Sequence, residues 1–128
     1  MLDLVGPSFP SALGRLNKTI HDCDPDKNWV HYHGAIEFDN LHSLYAQSDL
    51  GVFASSCENM PITLVEAMAV GLPIACSNRG PMPEVLADGG VYFDPENSGS
   101  IVAAIEQIMQ SSALRQACSQ RSKEIAKN

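Results

Sequence analysis

Ser55 to Pro83 reads SSCENMPITLVEAMAVGLPIACSNRGPMP. The run before it, Leu50-Gly51-Val52-Phe53-Ala54, is apolar and reads as a buried strand. Pro61 sits where a helix can start, because a first turn tolerates a residue without an N–H. The spacing predicts a helix from Pro61 to Val70, stopped by Gly71 in a left-handed conformation. Pro73 blocks continuation, and Ile74-Ala75-Cys76 is the next strand. Strand, loop, helix and strand make one βαβ unit. Ile62, Val65 and Ala69 are read as the helix's core contacts from their helical spacing.

Working outward, strands and helices alternate. Met1–Val5 and Trp29–His33 read as strands around a helix carrying Leu13, Leu16 and Ile20 on one face. The polar stretch from Asp22 to Asn28 reads as a loop. Leu41, Leu44 and Tyr45 mark a further helix. A short helix holds Glu84, Val85 and Leu86, and Val91-Tyr92-Phe93 is a last strand. Two helices follow, capped by Ser98 or Ser100 and by Ser112. The alternation predicts an α/β fold, a Rossmann-like parallel sheet flanked by helices, as one domain over residues 1–128.

Composition bounds the function. The chain has 128 residues, 45% of them apolar, enough for a domain with its own core. Its net charge of −7 argues against nucleic acid as a partner, since such binders are basic. Cys23, Cys57, Cys76 and Cys118 lack metal-type spacing and read as reduced thiols, with Cys76 a small core residue. No apolar run is long enough to span a bilayer, which suits a cytoplasmic location or the inner face of a membrane. No carboxylate stands at ligand spacing from a histidine, so no metal site is expected.

Two carboxylates stand out. Glu58 and Glu66 have seven residues between them, one in the loop and one about a turn and a half into the helix. Loops at the carboxyl ends of parallel strands are where open α/β sheets bind ligands. Helix N-termini favour phosphate, and carboxylates accept from pairs of hydroxyls. Phosphate between two sets of carbohydrate hydroxyls describes a nucleotide-sugar. The same glutamates also suit a solvated helix start, favoured by the macrodipole.

The ordered set of motifs resembles the donor-binding, C-terminal domain of the family 4 (group 1) glycosyltransferases. It comprises Leu4-Val5-Gly6, Val30-His31-Tyr32-His33-Gly34, Leu44-Tyr45, the E-x7-E stretch, Pro83-Glu84-Val85, Gly89-Gly90 and Phe93-Asp94-Pro95. The resemblance implies the GT-B fold and transfer from a nucleotide-diphosphate sugar, with retention and without metal or other cofactor. Glu58 matches the glutamate beside the transferred sugar, and Glu66 the one that binds the donor ribose. Asn59 and Met60 match positions whose N–H groups face the sugar hydroxyls. Ile62, Thr63 and Leu64 match the helix start near the diphosphate, and Gly34, Ala35 and Ile36 the loop edging the base. His33 ends a strand beside Gly34, where it can line that crevice or be a satisfied structural histidine, Gly6 in the loop after the first strand is a further candidate, and Arg79 stands in a crevice loop where it can meet phosphate or solvent. Where many members carry Phe-Gly after the first glutamate, this chain has Asn59-Met60-Pro61.

The resemblance further implies an incomplete domain lacking its first strand and helix, with the Arg and Lys that usually meet the diphosphate. Its partners are then the donor, an N-terminal acceptor domain and a glycan or lipid-linked acceptor. The strands at Leu2–Val5 and Leu50–Phe53 lose their common neighbour. They are expected to pair directly or to self-associate with a second chain through the gap. The alternative function is a non-catalytic nucleotide-sugar-binding or folding module.

Overall fold

The computed structural model describes residues 1–128. Its contacts divide the chain into two compact units, Met1–Leu41 and His42–Asn128.

In the first unit, β1 (Leu2–Val5) and β2 (Val30–Gly34) form a two-stranded parallel sheet joined through α1 (Pro10–Cys23). The register sets Leu2 against Val30, Asp3 against His31 and Leu4 against Tyr32, then shifts before Val5. Pro10 opens α1 at the one turn where a missing N–H is harmless. Leu13, Leu16 and Ile20 lie on its half-buried face, as their spacing predicts.

The loop after α1 is organised by Asp24, only 3% exposed. Its Oδ1 accepts from the Asn28 N–H at 2.9 Å, and its Oδ2 accepts from Trp29 and Val30 at 2.8 Å each. Burial pushes this carboxyl up. The Trp29, Asn28 and Val30 N–H groups and the nearby His31 outweigh that and hold it below the ordinary 3.8. A carboxylate with a depressed pKa stabilises the fold above its unfolded value and stops doing so as pH falls through its folded value. The loop is therefore expected to hold at neutral pH and to loosen only below about pH 3.8. Trp29, the chain's one tryptophan, reports this directly. Its emission should change in that acid range in the wild type, and Asp24→Asn should abolish the step.

The second unit begins within α2 (Phe38–Gln47) and contains β3 (Gly51–Phe53), α3 (Ile62–Val70), β4 (Ile74–Ser77), α4 (Met82–Leu86), β5 (Val91–Phe93), α5 (Ser98–Gln110) and α6 (Ser112–Ala126). Its sheet is parallel, in the order β3-β4-β5. All four residues of β4 are buried, and Ile74, Ala75 and Cys76 form the apolar run expected of a central parallel strand, which the polar Ser77 ends. Successive side chains of a strand point to opposite faces. Ile74 and Cys76 accordingly join Leu64, Ala67, Met68, Leu72, Met82 and Leu86. Ala75 joins Phe93, Ala104 and Ile108 of β5 and α5. Full burial of a side chain such as Leu64 stabilises by about 2–3 kcal/mol. Burial pushes the Cys76 thiol up to about 12, which leaves it an inert core residue.

Several boundaries and faces differ from the sequence reading. The strand before the loop is only Gly51–Phe53, and Val52 is 38% exposed, because β3 is an edge strand with one neighbour. The expected direct pairing of Leu2–Val5 with Leu50–Phe53 does not occur: β1 pairs with β2 alone and β3 with β4 alone. Four- and three-residue strands offer few ladder bonds, and parallel pairs are the weaker kind. The single parallel sheet is thus two parallel sheets. The buried face of α3 is Leu64, Ala67 and Met68, whereas Ile62 and Ala69 are exposed. That helix is apolar nearly all round, so its periodicity does not set the phase. The α5 and α6 caps are Asn97 and Ser111, whose side chains accept from Ser100 and Leu114 N–H groups. No helix is long and apolar enough to cross a membrane.

Candidate functional site

The site residues of the second unit lie on the β3–α3 connection. Glu58, Asn59 and Met60 form an exposed loop between β3 and the buried Pro61. Ser55 ties the loop's start by donating to the Cys57 carbonyl at 3.1 Å. Ile62 N–H donates to Met60 O at 2.9 Å, and Leu64 and Val65 donate to Pro61 O. These bonds turn the chain into α3 without help from a side chain: Pro61 is the N-cap residue and no side chain caps the helix. The helix stops at Gly71, whose φ of 78° is the left-handed conformation that glycine adopts without strain. Ile62 and Thr63 are exposed at this N-terminus, whereas Leu64 points into the core and reaches nothing outside it.

The β4–α4 loop lies beside Glu58. Gly80, at φ +55°, faces the Glu58 backbone, where an added Cβ would stand 3.7 Å from its carbonyl oxygen. Arg79, one residue earlier, is anchored at both ends. Its N–H donates to the buried Ser77 Oγ at 3.1 Å, and its Nη2 donates to Asp94 Oδ1 at 3.3 Å. Glu96 Oε2 lies 4.0 Å from the same nitrogen. The guanidinium therefore serves Asp94 and Glu96, and bridges the segments following β4 and β5.

Glu66 stands on the second turn of α3, half-buried. Its Oε2 is buried and has no hydrogen-bond partner. None of the ion pairs includes Glu66. A buried acceptor without a donor costs about 1–3 kcal/mol, more when charged, so this oxygen calls for an explanation. Tyr45 of α2 is the aromatic hydroxyl beside it. Burial and the Glu66 carboxylate push that phenol up to about 12. The sequence marks Tyr45 as a helix residue and part of a motif, not as a site residue. Its signal was a hydroxyl-bearing aromatic on an otherwise apolar helix face.

In the first unit, Gly6 and Gly34 end the two strands together. Gly6 N–H donates to Gly34 O at 2.8 Å, and Tyr32 OH donates to Gly6 O at 2.9 Å. Both glycines have positive φ, 141° and 68°, which suits residues without a Cβ. The exposed Ala35 and the half-buried Ile36 follow before α2. His33 shares a 2.7 Å hydrogen bond with Asp3 of β1, and His31 lies 3.7 Å from the same carboxylate oxygen. The sequence reading found no carboxylate near these histidines because Asp3 comes from the neighbouring strand. No group of three or more His, Cys, Asp or Glu side chains is arranged to hold a metal ion.

Residues 13–125 match the family model described as Glycosyl transferases group 1. The chain belongs to that family. It is 34% identical over 95 residues to the O-antigen chain mannosyltransferase B of Escherichia coli, covering 74% of this chain and 25% of that protein. Among solved structures, Anabaena Alr3699/HepE in complex with UDP and glucose matches with a TM-score of 0.85 at 21% identity, over 97% of this chain and 35% of that one. The C-terminal domain of the Francisella tularensis group 1 glycosyl transferase LpcC matches with a TM-score of 0.78 at 23% identity, over 92% of this chain and 62% of that one. These likenesses give the group 1 chain the fold of the GT-B glycosyltransferases. The chain spans between 9% and 30% of the length of the curated relatives that it matches.

Proposed function

We propose that this group 1 family chain is the donor-binding part of a retaining, metal-independent glycosyltransferase that takes its sugar from a nucleotide-diphosphate sugar. The observation that carries the reading is Glu66, a half-buried carboxylate in no ion pair on the second turn of α3, just after the exposed loop that bears Glu58. Such a group is suited to a ligand that brings hydroxyl donors. Glu66 holds the donor ribose. Glu58, exposed on the preceding loop, orients the transferred sugar and stabilises the charge developing at its anomeric carbon. The Asn59 and Met60 N–H groups meet sugar hydroxyls. The start of α3 at Ile62 and Thr63 faces the diphosphate with its positive dipole end. Leu64 supports that turn from the core.

Arg79 has no part in holding phosphate on this reading, since Asp94 and Glu96 already take its charge. His33 and Gly6 keep the β1–β2 end in shape. The complex of Anabaena HepE with UDP and glucose supports a nucleotide-sugar donor. The relationship to an O-antigen chain mannosyltransferase supports a glycan or lipid-linked acceptor. Acceptor binding and turnover belong to the intact enzyme. The open edge of β3 remains available to a further strand, which favours self-association of the isolated chain.

The test is a calorimetric titration with UDP, GDP and their hexose conjugates. The conjugate of the correct base should bind about tenfold more tightly than the bare nucleotide, the size of one charge-assisted hydrogen bond. Glu58→Gln should erase that difference and leave nucleotide binding intact. Equal affinity of the wild type for nucleotide and conjugate would contradict the role given to Glu58.

A further inference from the structure

We infer that Tyr45 is a positioning residue for Glu66: its hydroxyl holds the inner carboxylate oxygen and leaves the other one for the ribose. The inference rests on the reading of Glu66 as the ribose ligand. Tyr45 is half-buried against the core cluster that includes Leu64, Ala67 and Met68 of α3. Its hydroxyl donates to the Thr63 carbonyl at 3.2 Å. That is long for an O–H···O bond, whose usual length is about 2.7–2.8 Å. Thr63 lies three residues before Glu66, so the two share a helix face. The hydroxyl thus sits where the buried, unpartnered Oε2 of Glu66 needs a donor.

One proton serves two acceptors. A carboxylate is a stronger acceptor than a neutral carbonyl, so a small turn of the Glu66 side chain toward the phenol brings Oε2 into bonding range and draws the proton from Thr63 O. The phenol, pushed up to about 12 by burial and by Glu66, keeps that proton throughout the physiological range. With Oε2 held inward, the carboxylate has one fixed orientation, and a sugar hydroxyl pair meets a preorganised acceptor. Without the hydroxyl, the inner oxygen is unsatisfied and the carboxylate is free to turn. Phenylalanine at position 45 keeps the ring's packing and removes only the donor.

The test titrates the wild-type chain and Tyr45→Phe with UDP, GDP and their 2′-deoxy and 3′-deoxy counterparts. The wild type should prefer the ribonucleotide of its base about tenfold. Tyr45→Phe should lower ribonucleotide affinity to the deoxy level, with deoxy binding unchanged. A variant that keeps the ribose preference overturns the inference. So does one that loses ribo- and deoxynucleotide binding equally, since that pattern marks a purely structural role. A wild type without ribose preference would instead refute the ligand role of Glu66. The Tyr45–Glu66 contact is then read without ligand, from the Tyr45 13Cζ resonance at neutral pH. Glu66→Gln should shift it, and an unmoved resonance overturns the inference on its own.

Discussion

Alanine at position 66 is expected to weaken nucleotide binding about a hundredfold while leaving the chain at least as stable as the wild type. Hydrogen bonds to a charged group contribute about 1.5–3 kcal/mol each, and a ribose offers Glu66 a pair of hydroxyls. Losing both corresponds to roughly two powers of ten in Kd. Stability does not fall because the Glu66 carboxylate is half-buried and in no ion pair, and Tyr45 keeps its bond to the Thr63 carbonyl when it is gone. Removing the carboxylate also ends a desolvation cost. Calorimetry and a thermal melt of Glu66→Ala measure the two effects separately. Unchanged nucleotide affinity would contradict the ligand role. A large fall in melting temperature would mark Glu66 as a structural residue.

Gly90→Ala should destabilise the second unit by about 3 kcal/mol. Gly90 sits just before β5, against the middle of the sheet. A Cβ there would lie 2.5 Å from the Ile74 carbonyl oxygen and 2.8 Å from Leu86 Cδ2. Ile74 opens the central strand and Leu86 is fully buried, so neither has room to withdraw. The methyl therefore forces β5 away from β4 and disturbs the pairing of Ala75 with Val91. At Gly71 the cost of alanine has a different origin: the atoms that a Cβ would meet belong to the flexible end of Lys123, but the φ of 78° strains any side chain. Urea unfolding of Gly90→Ala measures the loss, and a wild-type midpoint would contradict the packing described for this turn.

The parts of the fold that rest on local chemistry were legible in the sequence. Pro61, Gly71 and Pro73 punctuate a helix that runs one residue shorter than read, and β5 falls on Val91–Phe93 as expected. Long-range placement was not. The phase of α3 stayed hidden because Ile62, Leu64, Val65, Ala67, Met68 and Ala69 give apolar residues to several faces. The division into two sheets depends on which edges pair, and a list of strands does not contain that information. Asp24 looked like one more polar residue in a loop, yet it is the acceptor on which three backbone N–H groups converge. Within the candidate site, the positions of Glu58 and Glu66 were legible from their spacing beside a helix start. The unpartnered Oε2, the hydroxyl of Tyr45 and the capture of Arg79 by Asp94 all join residues at least 15 apart or depend on burial, and only coordinates reveal them.

The central claim is that the loop before α3 and its first two turns hold a nucleotide-sugar. The most direct measurement is a map of backbone amide shifts as UDP, GDP and their hexose conjugates are titrated into the chain. The account predicts saturable shifts at Glu58, Asn59, Met60, Ile62, Thr63 and Glu66 for one base, with those at Glu58 to Met60 growing when the sugar is attached. Shifts confined to the cavity of about 330 Å³ lined by Asn17, Ile20, Lys27 and His31 would contradict it, as would no saturable shift at millimolar ligand.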